Sequence, residues 1–437
     1  MSFNIGLSGL YAANKSLDVT GNNIANVATT GFKSSRTEFQ DQYAASIRGT
    51  SGGTTAGSGV TTAAVSQQFT QGTLTTGTGR SLDLAINGNG FFMVSNNGEK
   101  LYTRAGAFYP DKSGNVVDAS GNKLQGYGVN AAGNVVSGVL TDLKIDSSNL
   151  APSPTGTVTI ASNLNSSSAV PTVATFDPSD VNSYTSTFST PLYDSQGNEH
   201  SMSQYFAKTG TNAWTMYTLV DGRNAADPTS TVADSMNVTF KSDGSLDTST
   251  LATTGNLTVN TDGTFTLDNW MPAAQVGTTG VWAGNGAAAK VGGVKLDMLA
   301  TTQTNSVSGA ITKTQDGFST GQLSAMSVDP TGHLFATYTN GQSKVIGQVS
   351  LTNFANVQGL APAGGTSWRE TYASGVPVTG APESGTLGSL TGEALEDSNV
   401  NLTSELVDLI KAQSNYQANA KTISTQSTIM QTIIQMA

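Results

Sequence analysis

The side chains that most often do chemistry are scarce and scattered in this sequence. Its 437 residues include two histidines and no cysteine. Without cysteine there is no disulfide framework, no thiolate metal site and no thiol redox chemistry. His200 follows Asn198-Glu199 and His333 follows Pro330-Thr331-Gly332. Both stand beside turns, and a surface position without partners is expected for each, since a general base or metal ligand needs convergent companions. Gly88-Asn89-Gly90 and Gly284-Asn285-Gly286 are fragments of a dinucleotide fingerprint, but neither reaches a third glycine at the required spacing. The first runs straight into Phe91-Phe92-Met93-Val94, which reads as a strand, so turns are expected at both. The acid pair Glu396-Asp397 precedes an amphipathic segment and is expected to serve a helix N-terminus rather than acid/base work. No phosphate-binding loop, HExxH, GxSxG elbow or EF-hand loop occurs. No catalytic, cofactor-binding or metal residue is therefore assigned, no cofactor is expected, and the chain reads as a non-enzyme.

Composition narrows the partners. Charged residues make up 11% of the chain, against roughly 25% in an average soluble domain. The formal net charge of −10 is spread along the sequence with no basic block, which argues against a nucleic acid partner. No window approaches the ~18 apolar residues that span a bilayer, so no membrane insertion is expected. The opening MSFNIGLSGLYAANKSL lacks the basic, apolar and cleavage regions of a secretory signal.

The elements that must do the work lie at the two ends. From Phe3 to about Val27 the residues Phe3, Leu10, Leu17 and Ile24 fall seven apart, with Ala13 and Val27 on the adjoining row. Leu395, Leu402, Leu409, Tyr416, Ile423 and Met430 repeat the spacing at the other end, joined by Leu406, Ala420 and Ile434. Both segments predict helices with narrow apolar stripes, about 35 to 40 Å and about 50 Å long. Asn401 is the expected N-cap of the second, with Glu405 in its first turn. Between them, turn dipeptides such as Asn97-Gly98, Asp243-Gly244, Asp262-Gly263 and Asn340-Gly341 separate short alternating runs, which predicts antiparallel hairpins almost throughout.

The fold expected is mainly β with α-helical termini, nested and multi-domain. Residues 1–30 and 395–437 form a terminal helical domain, the two helices pairing as a coiled coil. Residues 31–70 and 361–394 are expected as linkers, the Gly/Ser/Thr-rich stretch 47–62 being an exposed loop. An inner β-domain takes 71–148 and 287–360, and an inserted outer β-domain takes 149–286. An amphipathic helix cannot persist alone with its stripe in water. The termini must pair, and the shorter helix leaves part of the longer one uncovered. A leftover patch that fits the next copy makes a head-to-tail contact and hence a helical polymer. Periodicity alone leaves a second arrangement open, a small bundle packed on the chain's own β-body. Between Lys411 and Thr428 the face away from Tyr416 and Ile423 carries Gln, Asn, Ser and Thr, which would suit the lining of a water-filled channel.

Three blocks resemble the flagellar rod and hook family. They are GLSGLYAANKSLDVTGNNIANVATTGFKSSRTEF, LDLAINGNGFFMV with YTRAGAFYPDKSGNVVDASGNKLQGYGV, and SNVNLTSELVDLIKAQSNYQANAKTISTQSTIMQTIIQM. Distal rod members are similar at both ends but lack a large insert, so the insert at 149–286 points to the hook members, although it matches no motif of its own. The resemblance implies a flexible curved tube joining rotary motor to filament, exported by the flagellar type III apparatus without a cleaved signal. It implies contacts with the flagellar rod, hook cap and hook-filament junction proteins. It also assigns subunit assembly to Leu10, Leu17, Ile24, Leu402, Leu409, Tyr416, Ile423 and Met430, with Asn22, Asn23 and Asn26 capping or tying the first helix. A distal rod subunit is the close alternative; a secreted β-rich adhesin or carbohydrate-active protein is the alternative of another class.

Overall fold

The computed structural model describes residues 2–42, 57, 59–130, 133–278 and 280–436. Two helices bracket the strands: α1 (Ser2–Ala25) and α2 (Leu402–Met436). The chain divides into two compact units. The first comprises Met1–Ser147, Ser324–Thr337 and Ser343–Ala437, and the second Ser148–Leu323 with Tyr338–Gln342.

In the first unit, α1 is a poor helix by propensity. Gly6, Gly9 and Gly21 lie inside it, each costing about 1 kcal/mol relative to alanine, so it depends on what it packs against. The strands β1 (Ser35–Asp41) and β2 (Val60–Gln67) follow as an antiparallel hairpin. Of the stretch 47–62 expected as an exposed loop, Val60, Thr61 and Thr62 are thus in a strand; residues 47–56 and 58 lie outside the described residues. Next come β3 (Leu74–Thr76), β4 (Leu84–Asn87), β5 (Phe91–Asn96) and β6 (Glu99–Thr103). β5 and β6 turn at Asn97-Gly98, where both residues take positive φ, the geometry of a tight two-residue hairpin. Gly88 and Gly90 also take positive φ, in the turn between β4 and β5.

The core of this unit is aromatic. Phe91 meets Phe69, Phe354 and Trp368 edge-on at 5.7 to 6.1 Å between ring centres, and Tyr102 meets Phe354 at 4.8 Å, the favoured geometry for aromatic pairs. Residues 361–394, expected as a linker, are folded into this body. Ser367–Arg369 pairs with β6, Ser389–Gly392 pairs with β4, and Trp368, Leu387 and Leu390 are buried. Short polar residues disguised strands that supply only one or two core side chains each. Leu395 likewise is not helical. Ala394–Glu396 is a strand antiparallel to β3, and α2 starts after Asn401, whose side chain accepts from Ser404 N–H at 3.1 Å.

The second unit holds a five-stranded antiparallel sheet running Ser186–Tyr193, Glu199–Gly210, Ala213–Val220, Asp234–Thr239 and Ala252–Thr254. Alternate residues of Glu199–Gly210 are buried, as a sheet with one covered face requires. A second sheet centres on Thr157–Asn165, which pairs in parallel with Val294–Asp297 and Thr302–Thr304 and antiparallel with Gly309–Gln315. Residues 287–323 therefore belong with this unit rather than with the first, and two of its pairings are parallel where hairpins were expected. Phe206, Trp214, Met216, Phe265, Ile160 and Leu296 share one apolar core.

His200 departs most from its expected place. It is buried, with Nδ1 2.7 Å from Asp221 Oδ2, Nε2 3.3 Å from Asp194 Oδ2, and its ring edge-on to Trp270. The turn beside it in sequence supplies Asp194, while Asp221 and Trp270 come from farther along the chain.

Candidate assembly surface

α1 and α2 lie against one another in opposite directions. Gly6 of α1 faces Ile423, Gly9 faces Asn419, and Asn23 donates from Nδ2 to Glu405 Oε1 at 3.0 Å. Each step toward the C-terminus of α1 is a step toward the N-terminus of α2.

The seam itself consists of small residues. In α1 the buried positions are Gly6, Ala12, Ala13, Thr20 and Asn23, of which Gly6, Ala13 and Thr20 fall seven apart; in α2 only Ala412 is buried. A β-carbon on Gly6 would lie 3.0 Å from Ile423 Cγ1, so the backbone of α1 comes down directly on the side chains of α2. Leu10, Leu17 and Ile24 are half-buried beside this seam. Heptad spacing identified the helices, but the bulkiest row is not the one most enclosed. Gly6, Gly9 and Asn419 were not singled out in advance; for Gly6 the seven-residue spacing of Gly6, Ala13 and Thr20 was the available signal.

Along α2 the apolar side chains are largely uncovered. Leu409 and Ile423 are half-buried, while Leu402, Tyr416 and Met430 are exposed. Leu406, Val407, Ile410, Ile429, Ile433 and Ile434 are exposed too, Ile434 by 71%. Opposite Ile429–Met436 there is no residue of α1, because Gly6 already lies at Ile423. The last turns therefore present isoleucine and methionine on several sides.

The asparagines stitch the base of α1. Asn23, 2% exposed, donates from Nδ2 to Ser35 O at 2.8 Å and accepts Ser35 N–H at 2.9 Å. This two-way bond ties α1 to β1, while the bond to Glu405 ties it to α2. Asn26 donates from Nδ2 to Asn22 O and accepts from Thr29 Oγ1, closing the turn after the helix. Asn22 itself is exposed. Burial pushes the Glu405 carboxyl up, the Asn23 bond draws it down, and Asp408 adds to the rise, leaving it above its ordinary value. Glu396 does not sit at the N-terminus of α2. It is buried against Lys33 and Arg104, two partners that sequence reasoning did not pair with it.

No helix among the described residues is long and apolar enough to cross a membrane. Four family models match the chain in order. They are described as flagella basal body rod protein over residues 3–33, flagellar hook protein FlgE/F/G D1 domain over 85–167, flagellar basal body protein FlaE D2 domain over 163–318, and flagellar basal body rod FlgEFG protein C-terminal over 391–436. Among curated relatives, the flagellar hook protein FlgE of Escherichia coli K12 is 38% identical over 440 residues, covering all of both chains. That of Salmonella typhimurium is 39% identical over 444 residues with the same coverage. The hook protein of Treponema pallidum is 33% identical across 99% of this chain and 98% of its own. With end-to-end likeness of this kind, extending through both helices and the inserted unit, the chain belongs to the flagellar hook protein family.

Proposed function

We propose that this chain is a structural subunit of a bacterial flagellar hook, and that α1 and α2 join copy to copy in a helical homopolymer. The observation that carries the reading is the set of uncovered apolar residues at the end of α2, Ile429, Met430, Ile433, Ile434 and Met436, which lie beyond the chain's own α1, together with the exposed Leu402, Leu406, Val407 and Ile410. At about 25 cal/mol per Å² of apolar surface removed from water, covering these side chains with neighbouring copies supplies the main driving force for assembly. Where this uncovered end of α2 meets a different surface of the next copy, the contacts run head to tail and yield an open helical tube.

Polar residues on α2 suit the lining of that tube. The hydroxyls of Thr422, Thr425, Thr428 and Thr432 each donate to the carbonyl four residues earlier, at 2.9 to 3.1 Å. Hydroxyls occupied within their own helix offer little grip to a passing unfolded chain. In this reading the tube works as a flexible universal joint outside the cell. The chain reaches it through the flagellar type III export apparatus, and its ends meet rod, hook cap and hook-filament junction proteins. It catalyses nothing.

Electron microscopy of the purified chain at high concentration tests the reading. Tubes of uniform diameter are expected from the native sequence, and a helical monomer from the triple variant I429S/I433S/I434S. Tubes formed equally well by the variant would remove α2 from the assembly role.

A further inference from the structure

At the base of the two helices, one carboxylate holds two buried cations. Glu396 Oε1 lies 2.5 Å from Lys33 Nζ and Oε2 lies 3.0 Å from Arg104 NH1; the side chains of Lys33 and Glu396 are wholly buried and that of Arg104 is 5% exposed. The same Oε1 accepts the Gly72 N–H at 2.9 Å, and the backbone oxygen of Glu396 accepts the Gly31 N–H at 2.7 Å. Glu396 therefore bonds three residues of the segment that follows α1, namely Gly31, Lys33 and Gly72, together with one residue of the β-body, Arg104.

The two cations are not equivalent. Arg104 also donates to Gly88 O at 2.6 Å and Ile86 O at 3.4 Å, and lies over the Phe91 ring. These are all groups of the β-body itself. Lys33 has Glu396 and the Thr70 carbonyl, at 2.7 Å. Burial pushes the Lys33 ammonium below its ordinary pKa, Glu396 draws it back, and Arg104 pushes it down further. A buried pair of like charges without a counter-ion is strongly unfavourable, whereas a paired one is tolerated. Lys33 can thus be buried beside Arg104 only while Glu396 lies between them. β3 has a matching dependence, since its strand partner is Ala394–Glu396.

From this geometry we infer that Glu396 is a conditional clasp: Lys33 and the residues from Gly72 through β3 settle beside Arg104 only when the strand before α2 has docked, so the bases of both helices lock in one all-or-none step. A chain whose C-terminal portion has not yet folded keeps residues 31–36 and 70–76 loose, and its α1 is not held for pairing. The last-arriving strand then decides when the helical ends become rigid.

Amide hydrogen exchange on the full-length chain tests this with three variants: E396Q, K33M and K33M/E396Q. E396Q is expected to speed exchange about 10-fold or more at residues 31–36 and 70–76, leaving Phe91, Phe92, Met93 and Val94 of β5 as in the native protein. K33M alone is expected to have a smaller effect, because Glu396 keeps Arg104. In K33M/E396Q most of the lost protection returns, because the stranded cation is gone; a plain loss of hydrogen bonds would instead add up. Should E396Q fail to fold, folding of the double variant supports the clasp equally. A double variant no better protected than E396Q, or no more able to fold, overturns it. So does E396Q with unchanged exchange after α1.

Discussion

Asn23 Nδ2 donates to Glu405 Oε1 across 3.0 Å, so the last turn of α1 and the first turn of α2 are joined by a single side chain from each. Asn23 also satisfies both backbone groups of Ser35. Replacing it with alanine removes the partner of the half-buried Ser35 N–H. The expected cost for N23A is about 1 to 3 kcal/mol, read as a lower denaturant midpoint for helix unfolding. N23A with the native midpoint would mean that water replaces the asparagine without loss.

The seam makes a second prediction through Gly9. A β-carbon there would fall 2.5 to 2.8 Å from all three terminal atoms of Asn419, closer than such contacts allow. Alanine in place of glycine gains about 1 kcal/mol of helix propensity in α1, but only if the side chain opposite can move. G9A alone is therefore expected to weaken the pairing of α1 with α2. G9A/N419A is expected to be more stable than the native chain, because the clash disappears and the propensity gain remains. Melting of the four proteins in a double-mutant cycle checks this, and simple additivity within about 0.5 kcal/mol would show that the two residues do not touch.

What could be read in advance was whatever depends on neighbours along the chain. Heptad spacing located both helices, Asn401 marked the start of α2, and Asn97-Gly98 marked a hairpin. Leu395 extended the apolar row of α2 by one repeat yet is in a strand, because its backbone pairs with Thr75, 320 residues away. The small residues of the seam went unnoticed for a related reason: spacing favours bulky residues, while close helix contact selects Gly6, Gly9 and Ala13. His200 was expected at the surface and Glu396 at a helix N-terminus because their partners are remote; Asp221 is 21 residues from His200, and Lys33 is 363 from Glu396. Local pattern carries no information on such pairings. The strands in 361–394 escaped notice because short polar residues surround the few that reach the core.

Within the β-body, Gly106 makes a steric prediction separable from backbone preference. Its φ is not positive, yet a β-carbon would lie 1.7 Å from the Leu84 carbonyl oxygen and 3.1 Å from the Phe92 ring. That carbonyl belongs to β4, whose Leu84 N–H also bonds the Gly106 oxygen at 2.9 Å, so neither segment can retreat without breaking the contact. G106A is expected to cost about 3 kcal/mol or more. Gly98 is the control: a β-carbon there meets open space, and only its φ of 95° opposes substitution. G98A should cost about 1 kcal/mol. Equal midpoints for the two variants would contradict the crowding at Gly106.

His200 makes a prediction about pH. Both of its ring nitrogens face carboxylate oxygens, and only the protonated ring can donate from both at once. Burial by itself lowers the pKa of His200, but the bonds to Asp221 and Asp194 outweigh it and the net value lies above the ordinary one. Burial also pushes Asp194 up, while bonds from Asn198, Asn285 and His200 bring it down to about 2, so that carboxylate is charged throughout the neutral range. With the folded pKa of His200 above its unfolded value, its contribution to stability is complete below the ordinary histidine range of about 6.5. That contribution is lost as pH rises through the folded value. The denaturation midpoint of the second unit is therefore expected to fall across that interval in the native chain, with H200Q weaker at acid pH and flat where the native chain slopes. Proton-coupled nitrogen spectra of His200 give an independent reading, expected to show both ring nitrogens protonated at pH 7. A single neutral tautomer there, or an H200Q curve parallel to the native one, would mean that the two aspartates hold a neutral ring and that the linkage does not exist.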